Sequence, residues 1–85
     1  MAKTVEVSIS TGSGFFPEEG FVRVPEDEKV HFLLEKAQLT LDLKDTGDWG
    51  VNVAGRRIDP EQTYAENGLG GEVTLSWGPK RGGGG

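Results

Sequence analysis

Glu72-Val73-Thr74-Leu75-Ser76-Trp77-Gly78-Pro79 is the stretch on which the fold turns. Val73, Leu75 and Trp77 alternate with Glu72, Thr74 and Ser76, the period-two signature of a strand with one buried face. Gly78-Pro79 ends it, because proline has no N–H to give to a ladder. The start of the chain reads the same way: Val5, Val7 and Ile9 alternate with Glu6, Ser8 and Ser10. Two half-buried strands at opposite ends of a short chain fit one sheet when the last lies in the middle, beside the first. That placement would fix where the residues after Pro79 leave the domain.

The residues between supply the rest. Thr11-Gly12-Ser13-Gly14 is turn chemistry, and Phe15-Phe16-Pro17-Glu18-Glu19-Gly20 extends it into a long hairpin connection. One of the two phenylalanines is expected to fold onto the core. Phe21-Val22-Arg23-Val24 reads as a second strand, with Val22 and Val24 inward. Pro25-Glu26-Asp27-Glu28 announces a helix, with Asp27 as its cap and acidic residues matching the dipole. Val30, Leu33, Leu34, Ala37 and Leu41 then form one apolar helical stripe, opposite Lys29, Glu35, Lys36 and Gln38. Fraying is expected before Thr40. Trp49-Gly50-Val51-Asn52-Val53 is a third strand, Ala54-Gly55-Arg56-Arg57 a tight turn, and Ile58 returns to the core. Asp59 to Tyr64 is expected to be a turn or short helical turn. Asn67-Gly68-Leu69-Gly70-Gly71 is another turn, around the single apolar anchor Leu69. The expected class is α+β: a mixed sheet of four to five strands with one helix packed across one face. Residues 1–78 make the domain and 79–85 a flexible glycine-rich tail. Besides the residues above, Val53 and Val73 are expected in the core. Trp77, in phase with Leu75, belongs at its lower edge.

Composition narrows the function. At 85 residues the chain forms one small domain with room for one core and no deep cleft. It has no cysteine, which excludes disulfides, thiolate zinc sites and a cysteine nucleophile. No apolar run follows Met1 and none is long enough to span a bilayer, so a soluble cytosolic (cytoplasmic) protein without a membrane partner is expected. A net charge of −5 with no basic cluster beyond Arg56-Arg57 and Lys80-Arg81 argues against nucleic acid and for protein partners. His31, the one histidine, lies beside the apolar stripe and is expected to be structural. Gly12-Ser13-Gly14 has neither the spacing of a nucleophile elbow nor the Lys-Ser/Thr of a phosphate loop. Glu18, Glu19, Glu26, Asp27 and Glu28 read most simply as a solvated face. No self-contained active site emerges. The chain is expected not to be an enzyme, and to hold no metal and no cofactor.

The reactive group that remains is the terminal carboxylate of Lys80-Arg81-Gly82-Gly83-Gly84-Gly85. Glycines can be threaded into a narrow channel, because without Cβ atoms they accept the backbone angles it demands. A linker or disordered end is the plainer reading of four glycines. Lys80 and Arg81 can pair with acidic groups at a channel mouth.

The chain resembles ubiquitin and its relatives in Val51-Asn52-Val53-Ala54-Gly55-Arg56-Arg57-Ile58, Thr63-Tyr64, Leu69, Val73-x-Leu75 and Arg81-Gly82-Gly83. Val24 through Ala37 is similar to the second strand and helix start of that family. The resemblance covers nearly the whole chain at low identity and implies a β-grasp fold. It also implies that an activating enzyme adenylates the Gly85 carboxylate with ATP and recognises Lys80, Arg81, Gly82, Gly83 and Gly84. The tail would pass through thioesters on a conjugating enzyme to target lysines, with an isopeptidase reversing the bond. Asn52 stands where ubiquitin has the central isoleucine of its recognition patch, and Ser76 where another aliphatic stands. Arg56 replaces the commonest chain-forming lysine. Two extra glycines leave open which glycine is the mature end. Trp49, Asn52 and Arg56 are candidates for a partner surface, Trp49 as a partly exposed anchor. Leu69-Gly70-Gly71-Glu72-Val73 also looks like the β-grasp sulfur carriers, whose terminal Gly-Gly becomes a thiocarboxylate. A β-grasp interaction module that is never conjugated is the third reading.

Overall fold

The computed structural model describes residues 3–79. In chain order these are β1 (Thr4–Thr11), β2 (Gly14–Phe16), β3 (Val22–Pro25), α1 (Val30–Leu41), β4 (Trp49–Val53), β5 (Arg56–Ile58) and β6 (Gly71–Pro79). A 3₁₀ turn, Thr46–Asp48, precedes β4. The strands form one mixed sheet in the order β2-β1-β6-β4-β5. β6 runs parallel to β1 and antiparallel to β4. β3 and β2 share the other edge of β1, pairing with its first and last residues respectively. The last strand is thus central, as its alternation with the first implied.

The sheet has two strands more than a plain four-strand reading, and both are short. Gly14–Phe16 folds straight back on β1, so the expected long connection is a tight hairpin followed by a loop. Arg56–Ile58 pairs with β4 because the turn before it needs only Ala54 and Gly55. Both have positive φ, 51° and 82°, the mirror-image turn whose twist matches that of its flanking strands.

α1 covers one sheet face. Val30, Leu33, Leu34 and Ala37 meet Val5, Val7, Ile9, Val24, Val51, Ile58, Leu69, Leu75 and Trp77 in one buried cluster. Val22, Val53, Val73, Leu41 and Phe16 are half-buried against it. Phe16 is the phenylalanine that reaches the core, while Phe15 is exposed.

Two local expectations are corrected. Asp27 does not cap the helix. Lys29 occupies that position without a side-chain cap, and residues 26–28 form a turn closed by Glu28 N–H to the Pro25 carbonyl at 3.1 Å. The first helical donors find distant partners instead: Val30 N–H donates to Gln62 C=O at 3.1 Å and His31 N–H to Pro60 C=O at 2.9 Å. Nor does the helix fray before Thr40. It reaches Leu41, and Asp42 takes the left-handed conformation (φ 55°) while Leu43 N–H closes on the Gln38 carbonyl at 3.0 Å. That closure swings Leu43 into the core. Tyr64 lies in a turn, as expected for that segment, and is fully buried.

The segment from Asp59 to Leu69 is held by Asn67. Its Nδ2 donates to the carbonyls of Asp59 (2.8 Å) and Thr63 (3.0 Å), and its Oδ1 accepts from Asp59 N–H at 2.9 Å. Thr63 and Glu66 exchange reciprocal side-chain bonds to each other's N–H groups, a capping box.

Burial first, and the Glu28 carboxylate second, push the Tyr64 phenol well above its ordinary range. Its hydroxyl is buried with no hydrogen-bond partner among the described residues. A raised folded pKa means that stability is fully present below the free phenol's pKa, about 10, and is lost as pH climbs above it. Melting across pH 8–11 should therefore show an alkaline loss that Tyr64→Phe reduces, with the variant within about 1 kcal/mol of the parent at neutral pH. Tyr64→Ala should cost about 3–5 kcal/mol. An alkaline limb identical in parent and Tyr64→Phe would refute this account.

Candidate functional site at the root of the tail

Period two divides β4 and β6 between opposite faces of the sheet. The register sets Val51 against Trp77 and Trp49 against Pro79 on the helix side, and Asn52 against Ser76 and Gly50 against Gly78 on the outer side. The described chain therefore ends with Pro79 beside Trp49. Lys80, Arg81, Gly82, Gly83, Gly84 and Gly85 lie outside the described residues.

On the helix side Trp49 meets Trp77 edge to face, with ring centroids 5.2 Å apart and planes at 80°. Trp77 is buried and Trp49 half-buried. A cleft of about 420 Å³ opens over them, walled by His31, Glu35, Gln38, Pro60 and Glu61. The imidazole of His31 lies between two carboxylates, with Nδ1 3.5 Å from Glu61 and Nε2 3.9 Å from Glu35. Among the described residues no group of three His, Cys, Asp or Glu side chains could hold a metal ion.

The outer side is polar and flat. Asn52 Oδ1 accepts from Arg57 Nε at 2.8 Å, so the two rim side chains hold each other. Ser10, Thr11, Gly12, Gly50, Ser76 and Gly78 line a groove of about 340 Å³ beside them. Neither aliphatic of the ubiquitin patch has a counterpart here.

Trp49, Asn52 and Arg56 do not form one patch. Trp49 faces the helix side and Asn52 the outer side. Arg56 pairs with Val53, out of phase with Asn52, and its Nη2 donates to the Asn67 carbonyl at 3.0 Å. That bond ties Arg56 to the Asn67 clasp. The residue beside Asn52 is Arg57, which sequence reading left unassigned. Strand pairing could have found it: with a two-residue turn at Ala54-Gly55, Asn52 and Arg57 must face each other.

No protein-family model matches the chain, and no curated protein sequence matches it. Solved structures do match in fold. A de novo design based on ubiquitin is 24% identical, with a TM-score of 0.69 over 92% of this chain and 90% of its own. The ubiquitin-like domain of tubulin-binding cofactor B is 14% identical, with a TM-score of 0.72 over 98% and 97%. A ubiquitin-like domain of an Arabidopsis thaliana protein is 18% identical, with a TM-score of 0.67 over 92% and 79%.

Iodide quenching checks the environments of the two tryptophans. Trp77→Phe, which keeps Trp49, should be quenched readily, while Trp49→Phe, which keeps Trp77, should be protected. Equal protection of both would remove Trp49 as a surface anchor. By its similarity to these structures, the described chain has the ubiquitin-like β-grasp fold.

Proposed function

We propose that this chain is a ubiquitin-like modifier and is a substrate, not an enzyme. An adenylating enzyme activates the Gly85 carboxylate with ATP; a conjugating enzyme carries the tail as a thioester and transfers it to a target lysine, from which an isopeptidase can release it. The observation that carries the reading is the place of β6. It is held between β1 and β4, and Pro79, its last residue, leads into Lys80-Arg81 and the glycine run Gly82-Gly83-Gly84-Gly85. A strand paired on both edges fixes the position of Pro79, the residue from which a side-chain-free glycine run would be presented. The residues serve binding: Lys80 and Arg81 offer charge to an acidic channel mouth, and the glycines admit the backbone to a site too narrow for a Cβ.

ATP–pyrophosphate exchange tests the reading, using a ubiquitin-activating-type adenylating enzyme from the cells that make the chain. The full chain should support exchange. A chain ending at Pro79 should support none, although both melt at the same temperature. Gly84→Ala should weaken exchange strongly, and a residue added after Gly85 should abolish it. Full activity of a chain ending at Gly83 would move the reactive end to Gly83. Glycine remnants on lysines would support conjugation. A tail carboxylate with one oxygen replaced by sulfur would instead favour the sulfur carrier. Equal exchange by the chain ending at Pro79 would leave only an interaction module.

A further inference from the structure

Two tryptophans and two carboxylates meet at the cleft on the helix side, and no contact inside the described protein uses the combination. The floor is indole. Trp49 is half-buried and keeps part of its ring on the cleft, beside the buried Trp77. The walls come from separate parts of the chain. Glu35 stands on α1. Glu61 is placed by the Asn67 clasp at one remove: Asn67 holds the backbone of Asp59, and Asp59 Oδ1 accepts from Glu61 N–H at 2.9 Å.

His31 keeps the two carboxylates apart. Its side chain is only 26% exposed, and its ring lies 4.3 Å from that of Phe32, so packing fixes the imidazole while a carboxylate flanks each nitrogen. Gly47 puts no side chain across the mouth, where a Cβ would meet no atom within 4 Å.

Charge and shape identify the occupant. No lysine or arginine of the described residues lies within ion-pair distance of Glu35 or Glu61. Two uncompensated negative charges above an indole floor attract a cation. A guanidinium suits them better than an ammonium. It is planar and weakly hydrated, and it can lie on an aromatic face while its edge donors reach carboxylates on either side. The side-chain oxygens of Gln38 and Thr46 add neutral acceptors around it. We propose that this cleft is the docking site for an arginine side chain of a partner protein, its guanidinium over Trp49 and between Glu35 and Glu61. The site uses no residue beyond Pro79 and would serve a conjugated or an unconjugated chain alike.

Titration of the full, isotope-labelled chain with an acetylated and amidated tetra-arginine peptide tests it by NMR at low ionic strength. The indole N–H signals of Trp49 and Trp77 and the amide signals of Glu35 and Glu61 should shift together and saturate. Glu35→Gln combined with Glu61→Gln keeps the shape and removes both charges. It should raise Kd about tenfold or more without lowering the melting temperature. Trp49→Phe leaves a ring that holds cations less well and should raise Kd about two- to fourfold. A tetra-lysine peptide should bind several-fold more weakly than tetra-arginine. Glu18→Gln combined with Glu19→Gln removes the same charge from another exposed segment and should leave Kd within about twofold. An equal loss from the two glutamate pairs, or shifts spread over the acidic surface without the indoles, overturns the site. A Kd tightened about tenfold by Lys80→Ser with Arg81→Ser makes the chain's own basic pair the occupant and overturns the partner.

Discussion

The parallel pairing of β1 with β6 is the interaction on which the rest depends. It joins the two ends of the described chain, from Val5 against Gly71 to Ser10 against Ser76. Loop closure over so much chain is entropically costly and is rewarded only when both strands bury their apolar faces together. Val5, Val7, Ile9 and Leu75 do so under α1. Parallel neighbours require a crossover, and everything from β2 to β5 is threaded into it. Gly71 begins β6 with a φ of 68°, an angle that glycine adopts without the strain of a Cβ.

From that pairing follow the two surfaces at the end of β6. Because β6 is flanked on both edges, its side chains can vary only above and below the sheet. Above, Trp77 meets Trp49 edge to face under a wall holding His31, Glu35 and Glu61. Below, Ser76 and Gly78 continue a floor of hydroxyls, amide and bare backbone. The Asn67 clasp serves the same arrangement at a distance. It shapes the segment whose Pro60 and Gln62 carbonyls receive the first helical N–H groups, so the helix start and the return to β6 are fixed together.

Period-two and helical stripes made most of this legible in the sequence. Val5, Val7, Ile9, Leu75 and the helix stripe needed only their spacing, because burial selects for apolar residues on one face. Asp27 misled because its chemistry suits a cap, while the donors it would have served are taken by carbonyls far along the chain. Leu43 and Tyr64 were missed for a related reason: each is buried by a closure, the left-handed Asp42 and the Asn67 clasp, that no local pattern announces. At the candidate site Trp49 and Asn52 were read correctly as β4 residues, but only the register showed that they face opposite ways. Arg57 and Gly78 gave no signal of their own type, since one is an ordinary surface charge and the other an ordinary strand end.

The central claim is that β6 is the rigid middle of the sheet and fixes the position of Pro79. Native-state hydrogen exchange on the full chain measures this directly. The amides of Val7, Ile9, Leu75 and Trp77 should exchange only through global unfolding and share one opening free energy, while those of β2 and β5 open at lower cost. If β6 amides opened well below the global free energy while β1 stayed protected, the last strand would be a detachable edge and the account would be contradicted.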